Sequence, residues 1–168
     1  MKREELWSAR GPGTYCYSSP LVVDGVAVYG PMLVKPGGTG DVTKDTFRHR
    51  VGGMYVGTAA VNGDYLYTVN NVGVPSGFEW RTGKAVWKDR IVGRPEKVAD
   101  SWGSPVYADG RIYDPDQRGN SAVFAAGPRY EHIATNRLDE PCNASIAVAG
   151  GDLFIRTHKH LWCVGEKK

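Results

Sequence analysis

The chain has 168 residues, the length of one compact domain with a sizeable apolar core. Its 22 glycines and 10 prolines are spread so evenly that no stretch free of both exceeds the 13 residues of 152–164, which excludes a helical bundle. The net charge of +3 is not concentrated in a run, so no nucleic-acid partner is expected.

Four segments repeat one pattern: a small hydroxyl residue, an apolar run, a turn dipeptide and a second apolar run. Their first residues, 39, 46 and 41 positions apart, are Ser19, Thr58, Ser104 and Ser145. The turn dipeptides are Asp24-Gly25, Asn62-Gly63, Asp109-Gly110 and Gly150-Gly151. Such dipeptides tolerate the positive φ of a two-residue turn, so each repeat is predicted to begin with a β-hairpin.

Between the hairpins there is room for two further strands. The candidates are 32–35 with 46–51, 76–81 with 84–91, 122–126 with 130–138, and 160–164 without a partner. Residues 130–138 also fit a helical face, but the repeat register favours a strand. Four strands every forty residues are typical of a β-propeller blade, with a β-sandwich as the alternative.

We therefore predict an all-β fold, a β-propeller of about four four-stranded blades that is a partial ring or half of a larger one. The chain is interpreted as a single domain, residues 1–168. The predicted blades are residues 14–51, 55–91, 101–138 and 142–165, with residues 3–10 as an extra outer strand.

Residues 77–87 resemble the tryptophan-docking motif of PQQ-like propellers, Ala-x-Asp-x-x-Thr-Gly-x-x-x-Trp. Thr82, Gly83 and Trp87 match it, whereas Gly77 and Glu79 replace the Ala and the Asp. With further matching stretches, the chain is similar to the C-terminal half of bacterial PQQ-like repeat proteins. The resemblance implies blades of PQQ-like or WD40-like type, in which Thr82 and Gly83 turn the third strand into the fourth. It also implies that Trp87 packs across to the neighbouring blade.

The resemblance also raises the question of ring closure, because the family's rings usually have six to eight blades. Leu6 and Trp7 look like the fourth strand of a further blade, and the last blade ends after its third strand. The open alternatives are a homodimer completing an eight-bladed ring, a fragment of a longer product, and a four-bladed ring closed by the N-terminal strand. We expect either of the first two ahead of the third.

The residues predict no catalytic or metal site. The adjacent cysteines and the carboxylate-plus-Asn group that hold quinone and calcium in PQQ-dependent dehydrogenases have no match, so neither PQQ nor calcium is expected. Residues 114–120 begin like a calcium loop but lack two ligands, and we interpret them as a hairpin loop. His158 and His160 are interpreted as solvated turn residues, and Asp139-Glu140 as surface carboxylates.

Neither a membrane span nor a signal peptide is predicted, because no apolar run is long enough. Relatives of PQQ-like type are commonly exported, so localisation stays open. The cysteines Cys16, Cys142 and Cys163 lack metal-binding spacing, and their redox state is likewise open. Cys163, in the apolar run 161–164, is predicted to be buried.

The loops that lead into the first strand of each blade surround the central funnel of a propeller. The candidate funnel residues are Tyr15, Tyr17, Tyr55, Trp102 and Asn143. Aromatic side chains there suit a protein or carbohydrate ligand, although Tyr17 and Trp102 also suit packing between blades. The leading hypothesis is a non-catalytic interaction or scaffold module that binds its ligand at the funnel. The alternative is a fragment of a PQQ-dependent quinoprotein oxidoreductase without its cofactor residues.

Overall fold

The structure is a computed structural model and describes residues 4–11, 17–29, 32–34, 37–48, 56–91 and 101–166. Within these ranges the chain forms β-strands and one 3-10 helix, Thr43–Asp45. The strands, in chain order, are β1 (Trp7–Ser8), β2 (Leu21–Val23), β3 (Val26–Tyr29), β4 (Met32–Val34), β5 (Gly40–Asp41), β6 (Thr46–Arg48), β7 (Ala60–Asn62), β8 (Tyr65–Val69), β9 (Pro75–Glu79), β10 (Lys84–Lys88), β11 (Val106–Ala108), β12 (Arg111–Pro115), β13 (Asn120–Ala125), β14 (His132–Arg137), β15 (Ala147–Ala149), β16 (Asp152–Arg156) and β17 (Leu161–Val164). None of the described residues belongs to a helix of membrane-spanning length and hydropathy.

The strands form consecutive antiparallel sheets, which we call blades. Blade 1 contains β2, β3, β4 and β6, blade 2 contains β7–β10, blade 3 contains β11–β14, and blade 4 contains β15–β17. Within each blade every strand pairs with the preceding strand of that blade, which is the up-and-down order of a propeller blade. The fold is thus all-β and that of a partial β-propeller, as predicted. The ambiguous segment 130–138 contains the strand β14, not a helix.

The hairpin turns explain why each blade begins where it does. In three of the blades both turn residues have a positive φ, as in type I′ turns. The φ values are 45° and 76° for Asp24-Gly25, 45° and 72° for Asp109-Gly110, and 62° and 89° for Gly150-Gly151. In blade 2, Asn62 is the last residue of β7, and the turn residues are Gly63-Asp64. The prediction placed this turn one residue too early. Gly63, with φ of 56°, takes the first position of a type II′ turn, which favours glycine.

The apolar core lies between the blades. We call the face of a blade that packs against the following blade its forward face, and the opposite face its rear face. Val28 and Leu33 on the forward face of blade 1 pack with Leu66 and Phe78 of blade 2. The two later junctions follow the same scheme. At the second junction, Ala60, Tyr67 and Val69 of blade 2 pack with Ile112, Ala122 and Phe124 of blade 3. At the third, Val106 and Tyr113 of blade 3 pack with Leu153 and Ile155 of blade 4.

The rear face of blade 1 is covered by the N-terminal segment. Strand β1 pairs in parallel with β5, and Trp7 packs against a buried cluster that contains Met32, Val34 and Val42. Because β1 pairs with β5 and not with β17, the described residues do not form the ring closed by the N-terminal strand.

The forward face of blade 4, by contrast, has no cover among the described residues. Ala147, Phe154 and Cys163 are cross-strand neighbours and share this face. Ala147 and Cys163 are exposed, and Phe154 is partly exposed. The prediction that Cys163 is buried was therefore wrong, because its side chain lies on the face of blade 4 that no described residue covers. Cys142 is buried, and Cys16 lies outside the described residues.

Candidate functional site

The first residue of each of the first three repeats joins its blade to the next blade by a hydrogen bond. The backbone N–H of Ser19 donates to Thr58 Oγ1, that of Thr58 to Ser104 Oγ, and that of Ser104 to Ser145 Oγ, each at 2.9 Å. Thr58 Oγ1 also donates to the Ser19 carbonyl at 3.3 Å. We call these four residues the hydroxyl ladder. Its sequence signal is the recurrence of a hydroxyl residue at the spacings of the bonded pairs, but the recurrence alone does not reveal the bonds.

Small residues directly before the ladder let neighbouring backbones approach closely. These residues are Ser18, Gly57, Gly103 and Ala144. A Cβ at Gly57 would lie 2.6 Å from the carbonyl oxygen of Gly103, and one at Gly103 would lie 2.9 Å from that of Ala144. Both contacts are shorter than a carbon and an oxygen allow, and backbone atoms cannot move away alone. The inner ends of blades 2, 3 and 4 are therefore packed backbone to backbone, which fixes the ladder.

The residues two positions before the ladder occupy one equivalent position on the four blades. They are Tyr17, Val56, Trp102 and Asn143, and we call them the inner rim. Tyr17 is 65% exposed and Trp102 is 46% exposed, and Asn143 is also exposed. Three of the predicted funnel residues thus share one place in the repeat. Tyr15 and Tyr55 lie outside the described residues.

Loops between the second and third strands border the inner rim. The N–H of Ser101, beside Trp102, donates to the carbonyl of Asn71 in the loop of blade 2 at 3.1 Å. In the loop of blade 3, Gln117 Nε2 donates to Asn143 Oδ1 at 2.9 Å. The loops of blades 2 and 3 thus each meet the segment that leads into the following blade. A shallow cavity of about 330 Å³ lies beside the rim, lined by Asn143, Ala144, Arg156, Thr157 and His158.

The loops of blades 2, 3 and 4 are each anchored by a polar side chain twelve positions after the ladder residue. Asn70 Oδ1 accepts the N–H of Val74 and Asp116 Oδ1 that of Asn120, both at 2.9 Å, and Thr157 Oγ1 accepts the N–H of His160 at 3.3 Å. Asp116 is a turn anchor because backbone N–H groups occupy its carboxylate, and residues 116–119 join β12 to β13. The described residues contain no group of three or more His, Cys, Asp or Glu placed to hold a metal ion.

A buried carboxylate organises the loop of blade 4. His160 Nδ1 contacts Glu140 Oε2 at 2.8 Å, and the backbone N–H of Lys159 donates to Glu140 Oε1. Burial acts to raise the pKa of Glu140, but hydrogen bonds from His160, Thr157 and Lys159 outweigh it and hold the pKa at about 2. Glu140 is therefore not the surface carboxylate that was predicted. His160 contacts this carboxylate and is not a freely solvated turn residue, although its side chain stays largely exposed.

The residues of the docking motif lie at the junction of blades 2 and 3. Thr82 and Gly83 belong to the turn between β9 and β10. The Trp87 indole N–H donates to the carbonyl of Gly127 in blade 3 at 3.1 Å, and its ring lies 5.8 Å from that of Phe124, centre to centre. A Cβ at Gly77 would lie 2.5 Å from the Trp87 ring, which explains the glycine where the resemblance leads one to expect alanine.

No protein-family model matches the sequence, and no curated protein matches it. The structure is similar to the crystal structure of BamB from Moraxella catarrhalis, with a TM-score of 0.60 and 13% identity over 84% of this chain and 41% of that one. It is also similar to the computationally designed Ika4 protein, with a TM-score of 0.69 and 10% identity over 98% of this chain and 100% of that one. For the designed Ika8 protein the values are 0.69 and 9%, over 95% of this chain and 49% of that one. The chain thus spans about half the length of two of these structures, and identities this low bear on the fold alone.

Proposed function

We propose that the chain is a non-catalytic β-propeller interaction module of PQQ-like type, and that it binds an extended protein segment at the inner rim. The observation that carries this proposal is the exposure of Trp102 and Tyr17 at one equivalent position on different blades. Large aromatic side chains held on a rigid support contribute most of the energy in many protein interfaces. The hydroxyl ladder and the close backbone packing behind it supply that support.

The distribution of groups favours a protein segment over a single sugar ring. Apolar groups, namely Tyr17, Trp102 and the exposed Val72 of the bordering loop, lie on or beside several blades. Amide groups of Gln117 and Asn143 stand in the same region and offer hydrogen bonds to a peptide backbone. An extended segment can use both kinds of group along its length, whereas one sugar ring covers a single patch.

Selection from a random dodecapeptide phage library on the immobilised protein supplies a probe, whose affinity is then measured by fluorescence anisotropy. We expect Trp102→Ala to weaken binding by about 30-fold, the effect of losing one interface anchor. The matched control is Ile133→Ala, because Ile133 is also 46% exposed but lies on β14, the outermost strand of blade 3. It should leave the affinity unchanged.

Two results contradict the proposal in different ways. If the selected peptides bind Trp102→Ala as tightly as the unaltered protein, the inner rim is not the binding surface. If no peptide is selected and a glycan array yields a ligand that depends on Trp102, the rim is correct but the protein partner is wrong.

A further inference from the structure

We propose that a second copy of the chain docks on the forward face of blade 4 through the rear side of its own blade 1, and that two such contacts close a ring of two chains. This inference is separate from the identity of the ligand at the inner rim. Three features of the described residues carry it: the ends of the hydroxyl ladder, the uncovered face of blade 4, and the position of the N-terminal strand.

The hydroxyl ladder has two complementary ends. Each link consists of a backbone N–H that donates to the hydroxyl of the following blade. Among the described residues, nothing accepts the N–H of Ser145 and nothing donates to Ser19 Oγ. One end therefore offers the donor and the other end the acceptor of the same link. Placing blade 1 of a second copy after blade 4 lets Ser145 N–H donate to Ser19 Oγ of that copy.

The forward face of blade 4 repeats the face that forms the junction of blades 2 and 3. Ala147 and Phe154 stand two and nine positions after their ladder residue, as do Ala60 and Tyr67 in blade 2. Ala60 and Tyr67 are buried against blade 3, whereas Ala147 is exposed and Phe154 partly exposed. The same positions carry similar side chains without the same cover, so this face fits another blade of this kind.

The N-terminal strand supplies what blade 4 lacks. Blade 4 has three strands where the other blades have four, and the outer edge of β17 has no partner among the described residues. Trp7 packs on the rear face of blade 1, much as Trp87, on the fourth strand of blade 2, packs against the rear face of blade 3. Strand β1 thus stands where the fourth strand of a preceding blade would stand. In the ring of two chains that preceding blade is blade 4 of the other copy.

A ring of two chains covers the exposed blade face of each copy. Two copies related by a two-fold axis make two identical contacts and leave neither forward face open. Covering these faces and pairing the edge of β17 also removes the sites through which open sheets aggregate.

Light scattering after size exclusion tests this proposal over a series of concentrations. We expect a mass of twice 18.3 kDa that does not grow further as the concentration rises. Cys163→Arg places a charge on the forward face of blade 4 and should yield a monomer. The control Ile133→Arg puts the same charge on an exposed apolar position of blade 3, outside the contact, and should leave the dimer intact.

Ser19→Ala is the second variant, and we expect it to fold normally, so that a loss of the dimer cannot be ascribed to misfolding. No described residue donates to the Ser19 hydroxyl, so the variant removes only the acceptor of the link between copies. Loss of both links should raise the dissociation constant of the dimer between about 4-fold and about 100-fold, with the circular dichroism spectrum unchanged.

Three results would overturn the proposal: a monomer at every concentration, species that grow without limit, or a dimer that neither variant weakens. The Trp102→Ala variant separates this proposal from the proposed function. It should retain the dimer mass while it loses the peptide, so each proposal can fail without the other.

Discussion

The junction of blades 2 and 3 and the forward face of blade 4 are two versions of one surface. At the junction, Tyr67 is fully buried and lies beside Trp87, whose ring also contacts Phe124 and Tyr130 of blade 3. On blade 4 the equivalent of Tyr67 is Phe154, and its neighbour Cys163 is exposed. The first three strands of blades 2 and 4 pair in the same antiparallel order, so the two faces differ mainly in what covers them.

The comparison shows that a blade in this chain does not bury its own core. Each sheet has two apolar faces and depends on a neighbour for both, as in other repeat architectures. At the junction this face is buried against the next blade, whereas on blade 4 the equivalent face is exposed. Substitutions at the junction should therefore be costly, and the corresponding substitutions on blade 4 should be cheap in the isolated chain.

The largest difference is expected for the aromatic rings of the two faces. Trp87→Ala removes a ring packed between two blades and the hydrogen bond to Gly127, and it should lower the free energy of unfolding by about 3 kcal/mol. Phe154→Ala, on the forward face of blade 4, removes a partly exposed ring that no described residue covers, and it should cost clearly less. Urea denaturation followed by far-UV circular dichroism measures both. Equal losses would show that the two regions are not as different as their exposure indicates.

The inner packing comes next in size. Gly57→Ala should cost about 1–3 kcal/mol, because the new methyl group meets backbone atoms of Gly103 and Ser104. Gly127→Ala is the matched control, since a Cβ there has open space around it. The same denaturation experiment compares them. A Gly57→Ala variant as stable as the control would mean that the blades can separate at their inner ends.

Ladder substitutions refine the comparison further. Ser104→Ala leaves the partly buried N–H of Thr58 without an acceptor and should cost about 1 kcal/mol. Ser145→Ala frees the N–H of Ser104, whose bond is solvent-exposed, so water replaces the lost acceptor and the cost should be smaller. Ser121→Ala removes a buried hydroxyl that has no hydrogen-bond partner among the described residues, and it should be neutral or stabilising. Equal costs for the three variants would argue against an energetic role of the ladder.

The smallest effect is expected in acid, in the loop of blade 4. Because the pKa of Glu140 is about 2 in the folded chain and ordinarily 4.5, its ionised form stabilises the fold above about pH 4.5. That contribution disappears as the pH falls towards 2. The melting temperature of Glu140→Gln should thus lie a few degrees below that of the unaltered protein near neutral pH and match it near pH 2. Asp139→Asn serves as the control, and a difference independent of pH would contradict the ionic role of Glu140.

The strands could be predicted because their signals are local. Asp24-Gly25 and Asp109-Gly110 allow few conformations other than a hairpin turn, and the flanking apolar runs set the strands. In blade 2 the local signal was ambiguous, since Gly63 can take either position of the turn, and the sequence-based choice was wrong by one residue. For the ambiguous segment 130–138, the position in the repeat predicted the strand correctly, whereas its own apolar pattern fitted a helix as well.

The site was less predictable because it depends on contacts between blades. Tyr17, Trp102 and Asn143 were found as funnel candidates, but the bonds that align them join residues 39 to 46 positions apart. Glu140 carried no sequence signal, since nothing local distinguishes a carboxylate that will fold under a loop from an exposed one. The prediction for Cys163 was wrong in the opposite direction. Its apolar neighbours predicted burial, but whether another blade covers this face of the strand depends on the assembly and not on the local sequence.

The hydroxyl ladder also bears on how a protein of this kind can change its length. Its bonded residues are 39, 46 and 41 positions apart, yet each N···O distance is 2.9 Å. The longest repeat has its extra residues between β10 and Ser104, after its fourth strand, and the hydrogen bond from Thr58 to Ser104 keeps its length. Lengthened loops can alter what the protein recognises while the arrangement of its blades is inherited unchanged.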